Sequence, residues 1–212
     1  ELKMIPYGHQ DIDKEDIKAV TDVLKSDWIT QGQKVNEFEY KFAHYVGTKY
    51  AVSVSSGTAA LHSACFAAGI TKGDEVITTP ITFVASANCI IYQDGTPIFA
   101  DIEKDTLNIN PEEIRKKITK KTKAIIPVDF TGRPADLENI NELAKKNGLI
   151  VIEDACHALG ATYKRNKIGS ISDMTVFSFH PVKHITTGEG GMVTTNSREY
   201  YEILTWHRPL RI

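Results

Sequence analysis

Apolar and polar positions change period several times along the chain, and each change marks an element. From Asp13 onward, Ile17, Val20, Val23 and Leu24 fall on one helical face. Asp13 stands where a capping side chain belongs, and acidic residues in the first turn oppose the helix dipole. Val35, Phe38, Phe42 and Val46 then step by three, four and four, and Gly47 closes a second helix. Between these helices, Ser26-Asp27-Trp28-Ile29-Thr30-Gln31-Gly32 has no helical period and reads as a loop.

Beyond Gly47 short apolar runs alternate with helical patterns. Strands are predicted over Tyr50 to Val54, Glu75 to Thr78, Pro97 to Ala100, Lys123 to Val128, Leu149 to Glu153, Met174 to Phe179 and Gly191 to Thr194. Helices are predicted after Gly57 as far as Gly69, from about Thr82, from Pro111, from Asp136 to Lys146 and from Ser197. Pro111 suits the first helical position, where its missing N–H costs nothing. Strand and helix in turn predict βαβ units, hence an α/β fold with a mostly parallel seven-stranded sheet covered by helices on both faces. Residues 1–30 are expected to form an N-terminal helix and loop segment, and residues 31–212 one large domain.

Composition narrows the class. The 212 residues suffice for one sizeable α/β domain. With 25 Lys+Arg against 27 Asp+Glu and no long basic run, nucleic acid is not an expected partner. No apolar run approaches the roughly 20 residues that span a bilayer, so no membrane partner is expected. The start, Glu1-Leu2-Lys3-Met4, lacks the pattern of a secretory signal. Cys65, Cys89 and Cys156 are scattered, without metal-like spacing, which suits a reducing compartment and small buried thiols. A cytoplasmic protein without a metal is the expectation.

In open parallel sheets ligands bind beyond the carboxyl ends of the strands, and chemically active residues gather there. Ser55-Ser56-Gly57-Thr58 joins a strand directly to a helix, which makes either a plain N-cap or a phosphate cradle of free amides and hydroxyls. Neither Gly-x-Gly-x-x-Gly nor a Walker motif accompanies it. Asp154, after an apolar strand, is a turn residue or the partner of a positively charged ring nitrogen. His157 is a structural histidine or a hydrogen-bond partner of a ring substituent. Phe83 packs in a core or covers a planar group. Lys183 lies five residues after Ser178 and just before Thr186-Thr187-Gly188-Glu189-Gly190-Gly191, with Asp154 29 positions upstream. A phosphate cradle, an aromatic cover, an acid for a ring nitrogen and a lysine are together the parts that pyridoxal 5'-phosphate requires.

Ser56-Gly57-Thr58-Ala59-Ala60-Leu61, Glu153-Asp154-Ala155, Phe177-Ser178-Phe179-His180 and Lys183 with Thr186 to Gly191 resemble the DegT/StrS family of nucleotide-sugar aminotransferases, and the resemblance runs from Ile5 to about Thr205. It implies a fold-type I large domain that binds pyridoxal 5'-phosphate. It implies Lys183 as the lysine bonded to the cofactor and Asp154 as the partner of the pyridine nitrogen. Gly57, Thr58 and Ser178 then contact the phosphate, Phe83 stacks on the ring, and His157 stands near the ring hydroxyl. Tyr7, Asp27, Trp28, Ile29 and Thr30 match sugar-nucleotide contacts. Ile5-Pro6-Tyr7-Gly8 and Leu24 to Gly32 are most similar to the pseudaminic acid branch, which implies amino transfer from glutamate to C4 of a UDP-linked 4-keto-6-deoxy-N-acetylhexosamine by a homodimer with shared active sites. Other readings within the resemblance are a sugar dehydratase, which carries histidine at the lysine position, and a non-catalytic relative. Members are longer and end in a small C-terminal domain. Trp206-His207-Arg208-Pro209 stands where the family has Arg-Ser-His-Gly, and the chain is expected to stop short of that domain.

Overall fold

The computed structural model describes residues 8–207. Its frame is a seven-stranded sheet in the order β1-β9-β8-β5-β4-β2-β3. The strands are β1 (Tyr50–Val54), β2 (Glu75–Thr78), β3 (Thr96–Phe99), β4 (Thr122–Ile126), β5 (Ile150–Asp154), β8 (Met174–Ser178) and β9 (Gly191–Thr195). Neighbours from β8 through β5, β4 and β2 to β3 run parallel, and β9 is antiparallel to both β1 and β8. The expected mostly parallel α/β sheet is therefore present. Two two-residue strands, β6 (Thr162–Tyr163) and β7 (Asn166–Lys167), add a small separate hairpin that no sequence period announced.

Each face of the sheet carries its own apolar core. On one side α2 (Gln33–Val46), α5 (Pro111–Lys117) and α6 (Leu137–Asn147) pack over Ile77, Ile125, Val151 and Phe177. On the other, α3 (Gly57–Ala67), α4 (Ala85–Ile91) and α7 (Arg198–His207) cover Val76, Ile126, Ile152, Val176 and Val193. Alternate residues of one strand thus enter different cores, as strand geometry requires, and the central strands read as continuous apolar runs for that reason.

Local chemistry fixes the helix ends. Asp13 forms a capping box with Asp16 at the start of α1 (Lys14–Leu24), and Gly47 ends α2 in the left-handed conformation with φ 79°. Helix α4 starts at Ala85, later than its pattern suggests, because Thr82 to Val84 form a turn in which the Thr82 and Ser86 hydroxyls bond at 2.8 Å. Helix α1 is amphipathic as expected, but it buries none of its residues, and Ile17, Val20 and Leu24 stay exposed.

Candidate active site

The carboxyl ends of β1, β5 and β8 and the loop after β2 converge on one cavity of about 440 Å³. Its lining contains Gly57, Thr58, Phe83, Asp154, His157, Ser178 and Lys183, so the structure brings together seven residues spread over more than a hundred positions of sequence.

Helix α3 supplies the first wall. Ser56 caps it, its hydroxyl accepting from the Ala59 amide at 3.1 Å, and the helix opens at Gly57 with its N-terminus toward the cavity. A Cβ at Gly57 would stand 2.9 Å from Ser178 Cβ and 3.2 Å from both Ser178 Oγ and Cys156 Sγ, so only glycine lets the helix approach β8 this closely. Gly191, beside it on β9, is needed for the same reason, since a Cβ there would stand 2.9 Å from the Gly57 nitrogen. A helix N-terminus facing a hydroxyl across a bare backbone is a site for an anion.

Asp154 forms the floor at the end of β5 and is buried. Its Oδ2 accepts from Ser86 Oγ at 2.8 Å, and its Oδ1 accepts from the Cys156 amide at 3.3 Å. Cys156, expected as a core thiol, instead lines the cavity; burial and the Asp154 charge hold its thiol well above the usual value, so it stays protonated. His157 is half-buried, and burial together with the nearby Lys183 charge keeps its imidazole below the usual value, which leaves it neutral at pH 7.

Lys183 comes from the loop between β8 and β9. Its amide donates to the His180 carbonyl at 2.8 Å. The loop is pinned where it begins and ends: the Phe179 amide donates to the Gly190 carbonyl at 2.8 Å, and the Thr187 amide and Thr186 hydroxyl donate to the Phe179 carbonyl at 3.1 and 2.9 Å. Phe179 itself is buried against Phe38 and Phe42 of α2. The lysine therefore projects from a turn whose base is bolted to the core. Phe83 lines the mouth and is 71% exposed, an aromatic face that the core does not use.

The remaining expected site residues lie elsewhere. Asp27, Trp28, Ile29 and Thr30 are in the loop before α2, outside the cavity lining, with Trp28 and Ile29 each 68% exposed. Tyr7 is outside the described residues. Besides Cys156, two more participants escaped the sequence reading. Phe130, in the short 3-10 turn after β4, lines the cavity, and its place at a strand's carboxyl end was the available signal. Ser86, which holds Asp154, sits 68 positions away in the sequence, and no local pattern marks it.

Comparisons with known proteins bear on the chain as a whole. The profile of the DegT/DnrJ/EryC1/StrS aminotransferase family matches residues 10–208. The spore coat polysaccharide biosynthesis protein SpsC of Bacillus subtilis is 50% identical over 195 residues, covering 92% of this chain and 50% of SpsC. PseC of Helicobacter pylori, an aminotransferase involved in the biosynthesis of pseudoaminic acid, superimposes with a TM-score of 0.93 at 39% identity, covering 98% of this chain and 56% of PseC. Spr1654 of Streptococcus pneumoniae in its PLP form superimposes with a TM-score of 0.91 at 35% identity, covering 95% of this chain and 57% of the other. The chain spans about half the length of the curated relatives it matches.

Proposed function

The chain belongs to the DegT/DnrJ/EryC1/StrS aminotransferase family, and on that premise we propose that the whole protein is a pyridoxal-phosphate-dependent nucleotide-sugar aminotransferase. The observation that carries this reading is the convergence of Lys183, Asp154, Ser178 and the α3 N-terminus on one cavity. The fit to the cofactor rests on the α3 N-terminus, Thr58 and the Ser178 hydroxyl, which line the cavity together as donors suited to a phosphate, and on the buried Asp154, a carboxylate suited to a protonated ring nitrogen.

When bound, the cofactor supplies an electron-withdrawing ring that stabilises negative charge on a carbon that has lost its proton. The chain's residues do the rest. Gly57 and Thr58 amides and the Ser178 hydroxyl hold the phosphate. The Asp154 carboxylate keeps the proton on the ring nitrogen, since each charge favours the other, and Ser86 holds Asp154 in place. Lys183 Nζ would anchor the cofactor, and as a free amine it would be the base placed to accept the proton from the amino donor's Cα and to return a proton to the acceptor carbon in the reverse half. Neutral His157 offers a hydrogen bond beside the ring hydroxyl without adding charge, and Phe83 covers the ring from the cavity mouth.

Glutamate as donor and C4 of a UDP-linked 4-keto-6-deoxy-N-acetylhexosamine as acceptor are the substrates of this reading. It is supported by the similarity to PseC and by the presence of lysine, not histidine, at position 183. Tyr7 and Asp27 to Thr30 are its sugar-nucleotide contacts, the latter made from an exposed loop, and a homodimer with shared active sites is its assembly. The test is 2-oxoglutarate formation from glutamate and the keto sugar, with borohydride reduction to fix the cofactor on its lysine. Wild-type protein should form 2-oxoglutarate and carry the label on Lys183, and Lys183→Ala should do neither. Turnover of the keto sugar without 2-oxoglutarate would replace transamination by dehydration, and an unchanged label in Lys183→Ala would remove the lysine from its role.

A further inference from the structure

The chemistry above uses Asp154 and leaves two neighbouring acids, Glu153 and Asp129, without a role. Both are fully buried. Glu153 precedes Asp154 on β5 and so faces the other side of the sheet. Asp129 lies just beyond β4, and its segment is laced to Asp154 directly: the Asp129 amide donates to the Asp154 carbonyl at 3.0 Å, and the Asp154 amide donates to the Pro127 carbonyl at 2.9 Å. Each acid has one oxygen satisfied. Asp129 Oδ1 accepts from the Ala135 amide at 2.9 Å, and Glu153 Oε2 accepts from Ser172 Oγ at 2.8 Å and Thr175 Oγ1 at 3.0 Å. The other two oxygens, Asp129 Oδ2 and Glu153 Oε1, are buried with no donor. No salt bridge reaches either acid among the described residues.

Two ionised carboxylates in this arrangement would be unpaired, desolvated and mutually repelling. One proton pairs the two orphaned oxygens with each other and replaces their repulsion by a hydrogen bond, leaving a single buried charge instead of two. We propose that Asp129 and Glu153 share one proton between Oδ2 and Oε1, carried by Asp129, and that the pair is a positioning unit that braces Asp154 from behind the sheet. The positioning half rests on the reading of Asp154 as the partner of the ring nitrogen.

Asp129 is the carrier because Glu153 already has two hydroxyl donors that favour its anion, while Asp129 has one amide. Burial and the facing Glu153 charge hold the Asp129 carboxyl well above the usual range. Burial also raises Glu153, against the pull of its hydroxyl donors. The charge acting on both from outside the pair is Asp154, itself negative, and the remaining neighbours, Ala135, Ser172 and Thr175, are neutral. With one proton in the pair, Asp154 stands beside one buried charge instead of two, and the loop from Asp129 to Ala135 is tied to the strand that carries it.

The sign of the pH effect follows. A carboxyl raised by folding binds its proton more tightly in the folded state, so its contribution is complete below the unfolded value of about 3.9 and is lost as pH rises toward the folded value. Asp129→Asn keeps an acceptor for Ala135 and a donor for Glu153 and has no proton to lose. In the cofactor-free full-length protein, the melting temperature of Asp129→Asn relative to wild type should therefore rise steadily from about pH 5 to about pH 8. Infrared spectra of the wild type at pH 7 should contain a buried protonated carboxyl band that this variant lacks. Asp129→Ala, which strips Glu153 of its partner, should melt below Asp129→Asn throughout. It should also weaken pyridoxal phosphate binding by about tenfold, the scale of one lost hydrogen bond, with Asp129→Asn restoring the affinity.

Absence of the carboxyl band, or a flat melting difference, overturns the shared proton even if the cofactor binds normally. A band with no restoration by Asp129→Asn overturns the positioning role. A protein that shows the band and the pH trend but binds no cofactor retains the shared proton and loses the reading of Asp154, and the positioning role with it.

Discussion

Asp154 illustrates how much a single residue here owes to distant ones. Its two oxygens are committed to Ser86 on α4 and to the Cys156 amide, so its carboxylate is oriented before any ligand arrives. Asp154→Asn preserves shape and an acceptor for Ser86 but removes the charge. The full-length variant should therefore keep its pyridoxal phosphate, whose phosphate is held by other residues, and lose about 100-fold or more in turnover, the scale of a positioned proton-transfer group. Cofactor absorbance together with 2-oxoglutarate production measures both halves, and near-native turnover would remove Asp154 from the ring nitrogen. The acidic end of β5 and the lysine were legible as residues because carboxylate and amine in strand-end turns are unusual. Ser86 and Cys156 were not, because a serine in a helix and a cysteine after a strand carry no signal until the fold puts them against Asp154.

At the scale of elements, the strands were legible to within a residue or two, since strands buried on both faces are short runs of branched apolar residues bounded by polar turns. The β6–β7 hairpin was not. Each strand has two residues, too few for a period, and its turn places Lys164 and Arg165 at φ 46° and 73°, where glycine or asparagine would have signalled it. Helix α2 does more than its amphipathic pattern suggests. Phe42 meets Phe177 of β8 edge-on at 5.0 Å and Phe179 at 5.4 Å, so it supports the strand that ends at Ser178 and the base of the Lys183 loop. Phe42→Ala should cost about 3–5 kcal/mol of stability in denaturant unfolding, as for other buried aromatics. A cost under about 1 kcal/mol would mean that the loop is supported from elsewhere. Helix α1 makes the complementary point, since its pattern fixes which face is apolar and leaves open what, if anything, covers it.

Across the molecule, the sheet divides labour between its ends and its faces. Its faces bury two apolar cores, and the carboxyl ends of its strands gather the polar chemistry. The proposed assembly belongs to this scale. Sedimentation equilibrium of the full-length protein should give twice the chain mass, and a monomer mass with full activity would exclude shared sites.

The sequence alone determined the alternation of elements, the covering of both sheet faces and the residue types of the site, because hydrophobic period, glycine punctuation and charge are local properties. Tertiary structure decided the strand order, with β9 reversed between β1 and β8. It also set Gly57 against Ser178 and Asp154 against Ser86, and it buried Asp129 and Glu153 with one oxygen each unpaired. Those juxtapositions depend on which strands pair and how closely helices approach them. That is a property of packing between distant segments, which no local window of the chain contains.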